Sequence, residues 1–143
     1  MNFRPAALAL PALVATLMAC NATLLVPDAM GPLTAEMKTT ENLSLICGRP
    51  IDKDEASAAM VPLTAAQKNQ PGTLEFTNPK TLSSSRQDGH ATVDVTYRPK
   101  AGAPCNGTLT FDFHVETTEK RYTRKQATYS SKYELTNVTV AKR

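Results

Sequence analysis

Apolar and polar residues alternate along most of the second half of this chain. Val93, Val95 and Tyr97 share one parity, and Thr92, Asp94 and Thr96 take the other. Leu109, Phe111, Phe113 and Val115 repeat the pattern most clearly, opposed by Thr110, Asp112, His114 and Glu116. Shorter runs follow the same rule: Leu43, Leu45 and Cys47; Leu74 and Phe76; Tyr129, Ser131, Tyr133 and Leu135. Side chains of a strand point to opposite faces in turn, so a period of two predicts strands with one buried face. Beyond Asn137 the apolar parity moves to Val138 and Val140, which predicts a bulge or a change of strand partner. Asn78-Pro79, Asp88-Gly89 and Asn106-Gly107 predict turns, and Lys120-Arg121 predicts a hairpin tip. Residues 54–60 and 64–70 look helical, with Pro62 between them and Asp52 or Asp54, and Thr64, as N-caps. Residues 21–38 hold Pro27, Gly31 and Pro32 and predict an irregular lead-in. At 143 residues the chain holds one domain, expected over residues 39–143. Six or more short strands with one apolar face predict an all-β sandwich with one or two short helical turns.

The stretch ATVDVTYRPKAGAPCNGTLTFDFHV, residues 91–115, resembles the strand–loop–strand pattern of Ig-like domains. An aromatic-Arg-Pro strand end leads through a Gly-containing loop into a Gly-Thr-Leu-Thr strand. The resemblance covers about 25 residues and implies a small Ig-like β-sandwich; it carries no activity.

The first 19 residues follow a different rule. One charge, Arg4, precedes an apolar stretch from Ala6 to Met18 broken only by Pro11. A membrane-spanning helix needs about 20 apolar residues, and a signal-peptide core needs roughly 7 to 15. The length predicts a cleaved export signal and an oxidising destination. Leu17-Met18-Ala19-Cys20 resembles the lipobox of bacterial lipoproteins, with an aliphatic residue three before the Cys and a small residue just before it. That resemblance implies cleavage before Cys20, a diacylglyceryl group on its thiol and an acylated amine. Two or more acyl chains suffice for stable anchoring, where one is marginal. Asn21 follows the Cys in place of Asp, which in enterobacterial-type sorting implies the outer membrane. Residues 1–19 are then the signal and residues 20–38 a lipidated tether.

Three cysteines are an odd count. Once Cys20 is taken by lipid, Cys47 and Cys105 remain in an oxidising compartment, and a disulfide between them is the economical pairing. No Cys-x-x-Cys or His pair is present, so no zinc site is expected.

Candidate chemistry is sparse. His114 stands two residues from Asp112 and from Glu116 on the polar parity, a grouping that suits a solvated strand face better than acid–base work. His90 reads as a turn residue. Ser83, Ser84 and Ser85 lack a Gly-x-Ser-x-Gly elbow, and no glycine-rich phosphate loop appears. No cofactor and no catalytic residue are expected. The net charge of +3 gives no case for nucleic acid. The segment EKRYTRK puts Lys120, Arg121, Arg124 and Lys125 around Tyr122, a basic tip suited to a partner contact, or a charged edge that blocks strand pairing. The expected function is a non-catalytic binding or assembly module of an envelope complex, held by lipid at the outer membrane. The competing expectation is an inhibitor or immunity protein acting on a periplasmic hydrolase or toxin.

Overall fold

The computed structural model describes residues 21–121 and 127–143, with side chains for all of these except 118–121 and 127–130. Four strands form one open antiparallel sheet in chain order: β1 (Thr73–Ser85), β2 (Asp88–Arg98), β3 (Cys105–Arg121) and β4 (Ala127–Lys142). Three short helices precede them: α1 (Val26–Met37), α2 (Thr40–Cys47) and α3 (Lys53–Ala58). The antiparallel sheet agrees with the alternation in the sequence. The second layer does not: helices, not a second sheet, pack on the apolar face, and no closed sandwich forms among the described residues.

The alternating residues are buried as expected, but beneath helices in place of a second sheet. Leu74, Ala91, Val93, Val95, Leu109 and Phe111 are fully buried, beside Tyr97 and Phe113. From the helices they receive Ala29, Leu33 and Met37 of α1 and Leu43 and Ile46 of α2. Spacings of four and three residues put each set on one helix face.

The helices are where sequence and structure part. Residues 26–37, expected to be irregular, form α1. Pro27 stands in its first turn, where the missing N–H costs nothing. Pro32 lies inside, where it removes one helix bond. Burial of Ala29, Leu33 and Met37 outweighs that loss. The run Leu43, Leu45, Cys47, expected to be a strand, is helix α2. Thr39 caps it by accepting from Asn42 N at 3.1 Å. Gly48, at φ 67°, closes it in the left-handed conformation and donates its N–H to Ser44 O. Ile46 is buried and Leu45 is 47% exposed, the reverse of the period-two expectation. Helix α3 begins one residue before the expected 54–60 and ends earlier, at Ala58, with Asp52 as its cap accepting from Glu55 N at 2.8 Å. Of residues 64–70, only Ala65–Gln67 are helical, as a single 3-10 turn.

All three expected turn dipeptides lie within strands. Gly89 pairs with Phe113 across β2 and β3, and a side chain there would collide with the Phe113 ring. The turn itself is Arg86-Gln87, with Arg86 at φ 54°. Gly107 lies in β3 under Ile46, whose methyl would meet a Cβ there. That close approach brings α2 against β3 where Cys47 bonds Cys105, with Cα atoms 4.8 Å apart. The disulfide is the one expected, and closing a loop of this length stabilises the fold by about 4 kcal/mol in the chain-entropy model.

The bulge expected near Asn137 is present. Register shifts between Thr110 and Asp112 on β3, and Asn137 takes φ 52°. Edge strand β1 carries a matching device: register shifts after Thr77, and Asn78 takes φ 54°. Asn78-Pro79 is therefore a bulge within a strand, a place an edge strand tolerates Pro.

The segment leading into α1 is held. Asn21 Oδ1 accepts from Arg86 N at 3.1 Å, at the β1–β2 turn. Leu24 N donates to Thr81 Oγ1 at 3.1 Å. Tyr133 OH donates to Thr23 O at 2.7 Å and accepts from Leu25 N at 3.2 Å. Ala22 and Leu24 are buried, so residues 21–25 cross the end of the sheet as packed structure.

Candidate functional site

The sheet face away from the helices is polar and open. Its centre is a ladder of facing pairs on β2 and β3: Asp88 with His114, His90 with Asp112, Thr92 with Thr110, Asp94 with Thr108, Thr96 with Asn106. Four of the five are hydrogen-bonded. His114 Nδ1 lies 2.9 Å from Asp88 Oδ1, and His90 Nδ1 lies 2.7 Å from Asp112 Oδ1. Thr108 donates to Asp94 Oδ1 at 3.1 Å, and Thr96 donates to Asn106 Oδ1 at 2.9 Å. Directly opposed side chains on an antiparallel pair stand close enough for such bonds.

The two bulges complete the ladder from outside. Asn78 Nδ2 donates to Asp94 Oδ2 at 3.1 Å, and Asn137 Nδ2 donates to Asp112 Oδ2 at 2.8 Å. Each edge strand thus turns a left-handed Asn inward onto an Asp of the neighbouring central strand. These bonds set the charges. The Asn137 amide, then the His90 ring, hold the Asp112 carboxyl below its ordinary range. The Asn78 amide does the same for Asp94, with Thr108 adding to it against partial burial. Asp88, with help from Glu116 at 3.4 Å, raises His114.

At the β1–β2 turn end the ladder borders a hollow of about 500 Å³ with Ser83, Ser84, Ser85 and Glu134 on its walls. Ser83, His90 and Asp112 occupy opposed positions on three neighbouring strands. No hydrogen bond joins Ser83 to the His90 ring among the described residues. His90 and Asp112 side chains are 43% and 46% exposed, so charge developing there is solvated by water and not by fixed dipoles. The arrangement suits recognition by hydrogen bonds better than nucleophilic chemistry. Among the described residues no group of three His, Cys, Asp or Glu is set to hold a metal ion. Asp112, His114 and Glu116 do share one face, as the alternation requires, but Asp112 turns to His90 while His114 turns to Asp88 and Glu116.

A second polar cluster was not legible in the sequence. Tyr97, buried as its parity requires, donates its hydroxyl to Glu55 Oε2 at 2.9 Å. Arg49 grips the same carboxylate with two guanidinium bonds, at 3.3 and 2.9 Å. Burial first, then the Glu55 bond, pushes the Tyr97 hydroxyl up to about 12. The Arg49 bond holds Glu55 below its ordinary range. These groups satisfy one another and fasten α3 to β2, which is a structural role.

The expected basic tip is placed only in part. Lys120 and Arg121 end β3, opposite Thr128 and Ala127. Tyr122, Arg124 and Lys125 lie outside the described residues, as does Cys20. No helix among the described residues is long and apolar enough to cross a membrane. No family model, no curated protein and no solved structure matches this chain.

Proposed function

We propose that the chain is an outer-membrane lipoprotein whose open polar sheet face binds a protein partner in an envelope assembly. One observation carries the reading: the ladder of facing polar side chains is partly open to solvent, and four of its five pairs are hydrogen-bonded in place before any partner arrives. Ordered polar groups of this kind cost little entropy to engage. The lipobox-like Leu17-Met18-Ala19-Cys20 supports the anchor, and the Cys47–Cys105 disulfide suits an oxidising compartment. The role is non-catalytic, with no cofactor or metal.

The test is crosslinking in intact envelopes followed by capture of the full-length protein, native and with Thr92→Arg and Thr110→Arg. Both threonines lie mid-face with side chains partly open to solvent, so each Arg can extend into water, and each variant is used once its urea unfolding matches that of the native protein. Stoichiometric capture of a multi-subunit assembly, lost in the variants, is the expected result. Capture that survives both substitutions removes the sheet face from the reading. Capture of one soluble hydrolase with loss of its activity replaces the reading with that of an inhibitor.

A further inference from the structure

We infer that the projecting β3–β4 ribbon lies along the phospholipid headgroups of the bilayer that holds the anchor. The inference rests on acylation of Cys20 and follows from where the fold begins. Asn21 is bonded to the β1–β2 turn at Arg86, so Cys20, one peptide bond away, has its Cα within about 3.8 Å of Asn21's. An acylated Cys20 has no tether. The turn end of the sheet is held at the membrane surface.

The ribbon leaves the sheet at that same end. The last β2–β3 pair is Asp88 with His114, next to the turn. Val115 N still donates to Gln87 O of the turn at 2.8 Å. Beyond it β3 runs on from Glu116 to Arg121, paired only with β4, down to Arg121 opposite Ala127. Those six residues extend roughly 20 Å past the sheet at about 3.3 Å per residue. The headgroup layer on one side of a bilayer is only about 5–8 Å deep. A ribbon aimed along the membrane normal would therefore enter the hydrocarbon. Its Glu116 and Thr117 are exposed, and an open two-stranded ribbon has unpaired backbone groups on both edges, which hydrocarbon does not tolerate. The domain must tilt until the ribbon runs along the surface. Two exposed aliphatic residues stand at the same end and suit the interface: Leu25, 51% exposed, and Leu82, 56% exposed.

The chain contains no Trp, so one introduced Trp reports one position. Thr117→Trp places it on the ribbon and Ala101→Trp in the loop at the opposite end of the sheet; both sites are exposed. The mature protein, purified from envelopes, is reconstituted in phospholipid vesicles carrying a headgroup spin label. Quenching several-fold stronger in the Thr117→Trp variant is expected. Equal quenching, or stronger quenching in the Ala101→Trp variant, overturns the inference. So does quenching that appears only when the label is in a second population of vesicles added afterwards. Hydrogen exchange on the unsubstituted protein gives the same answer without a variant: amides of residues 116–121 are expected to exchange more slowly in vesicles than in detergent, and equal rates overturn the inference. Detergent-phase partition separates the two ways of failing. A protein that stays in the aqueous phase removes the anchor and the inference with it, whereas one that partitions into detergent and fails the quenching test removes the ribbon contact alone.

Discussion

Asn78 and Asn137 each do two jobs. Each takes a left-handed φ at a bulge, and each turns its amide onto an Asp of a central strand. Asn reaches that conformation more easily than other residues with a Cβ. Asn137→Ala loses both contributions and is expected to lower stability by about 1–2 kcal/mol. Asn137→Gly keeps the backbone and loses only an exposed bond, so its loss is expected to stay within about 0.5 kcal/mol. Urea unfolding of the two variants checks the order. His114 offers a second test. Its pKa is raised in the folded chain, chiefly by Asp88. The stability it contributes is thus present below the unfolded value near 6.5 and lost as pH rises through the folded value. The ring is exposed, so NMR titration reads the effect better than melting does. His114 is expected to titrate above a model histidine, and Asp88→Asn is expected to bring it down.

At the scale of elements, the strands of the central sheet and helix α3 are legible in the sequence, and helices α1 and α2 are not. Period two holds from Val93 to Tyr97 and from Leu109 to Val115 because one face of each strand is buried and the other is open. Residues 43–47 form an apolar run too short to show its period, and Leu43 and Ile46 are its buried pair. In α1, Pro27, Gly31 and Pro32 are breakers by local preference, while the force that makes the helix, burial of Leu33 and Met37 on the sheet, is not local. Gly89 and Gly107 have the local signature of turns, but each answers to a distant side chain, Phe113 or Ile46. Of the site, the polar face was visible in Asp112, His114 and Glu116. The pairing partners Asp88 and His90 were hidden by the register. Helix α1 as part of the fold has a direct consequence. Leu33 is fully buried, so Leu33→Ala is expected to cost about 2–5 kcal/mol in urea unfolding. A change near zero would mean that residues 26–37 hang free of the sheet.

For the molecule as a whole, an open sheet with helices on one side has two different faces. The helix side carries the core and the disulfide. Among the described residues the other side carries the polar ladder, whose Thr, His and Asp side chains are partly open to water. A second sheet on that face would bury Asp88, Asp94, Asp112 and His114, at a cost that pairing with one another would not repay. The absence of slack between Cys20 and the fold then gives this face a set orientation to the membrane, if lipid is attached there. That attachment underlies the proposed location, the binding role and the ribbon contact together. The mass of the N-terminal peptide of the mature protein, extracted from cell envelopes, tests it most directly. A peptide that starts at Cys20 and carries diacylglyceryl on its thiol is the expected result. A peptide that starts elsewhere, or that contains Cys20 without lipid, would contradict it.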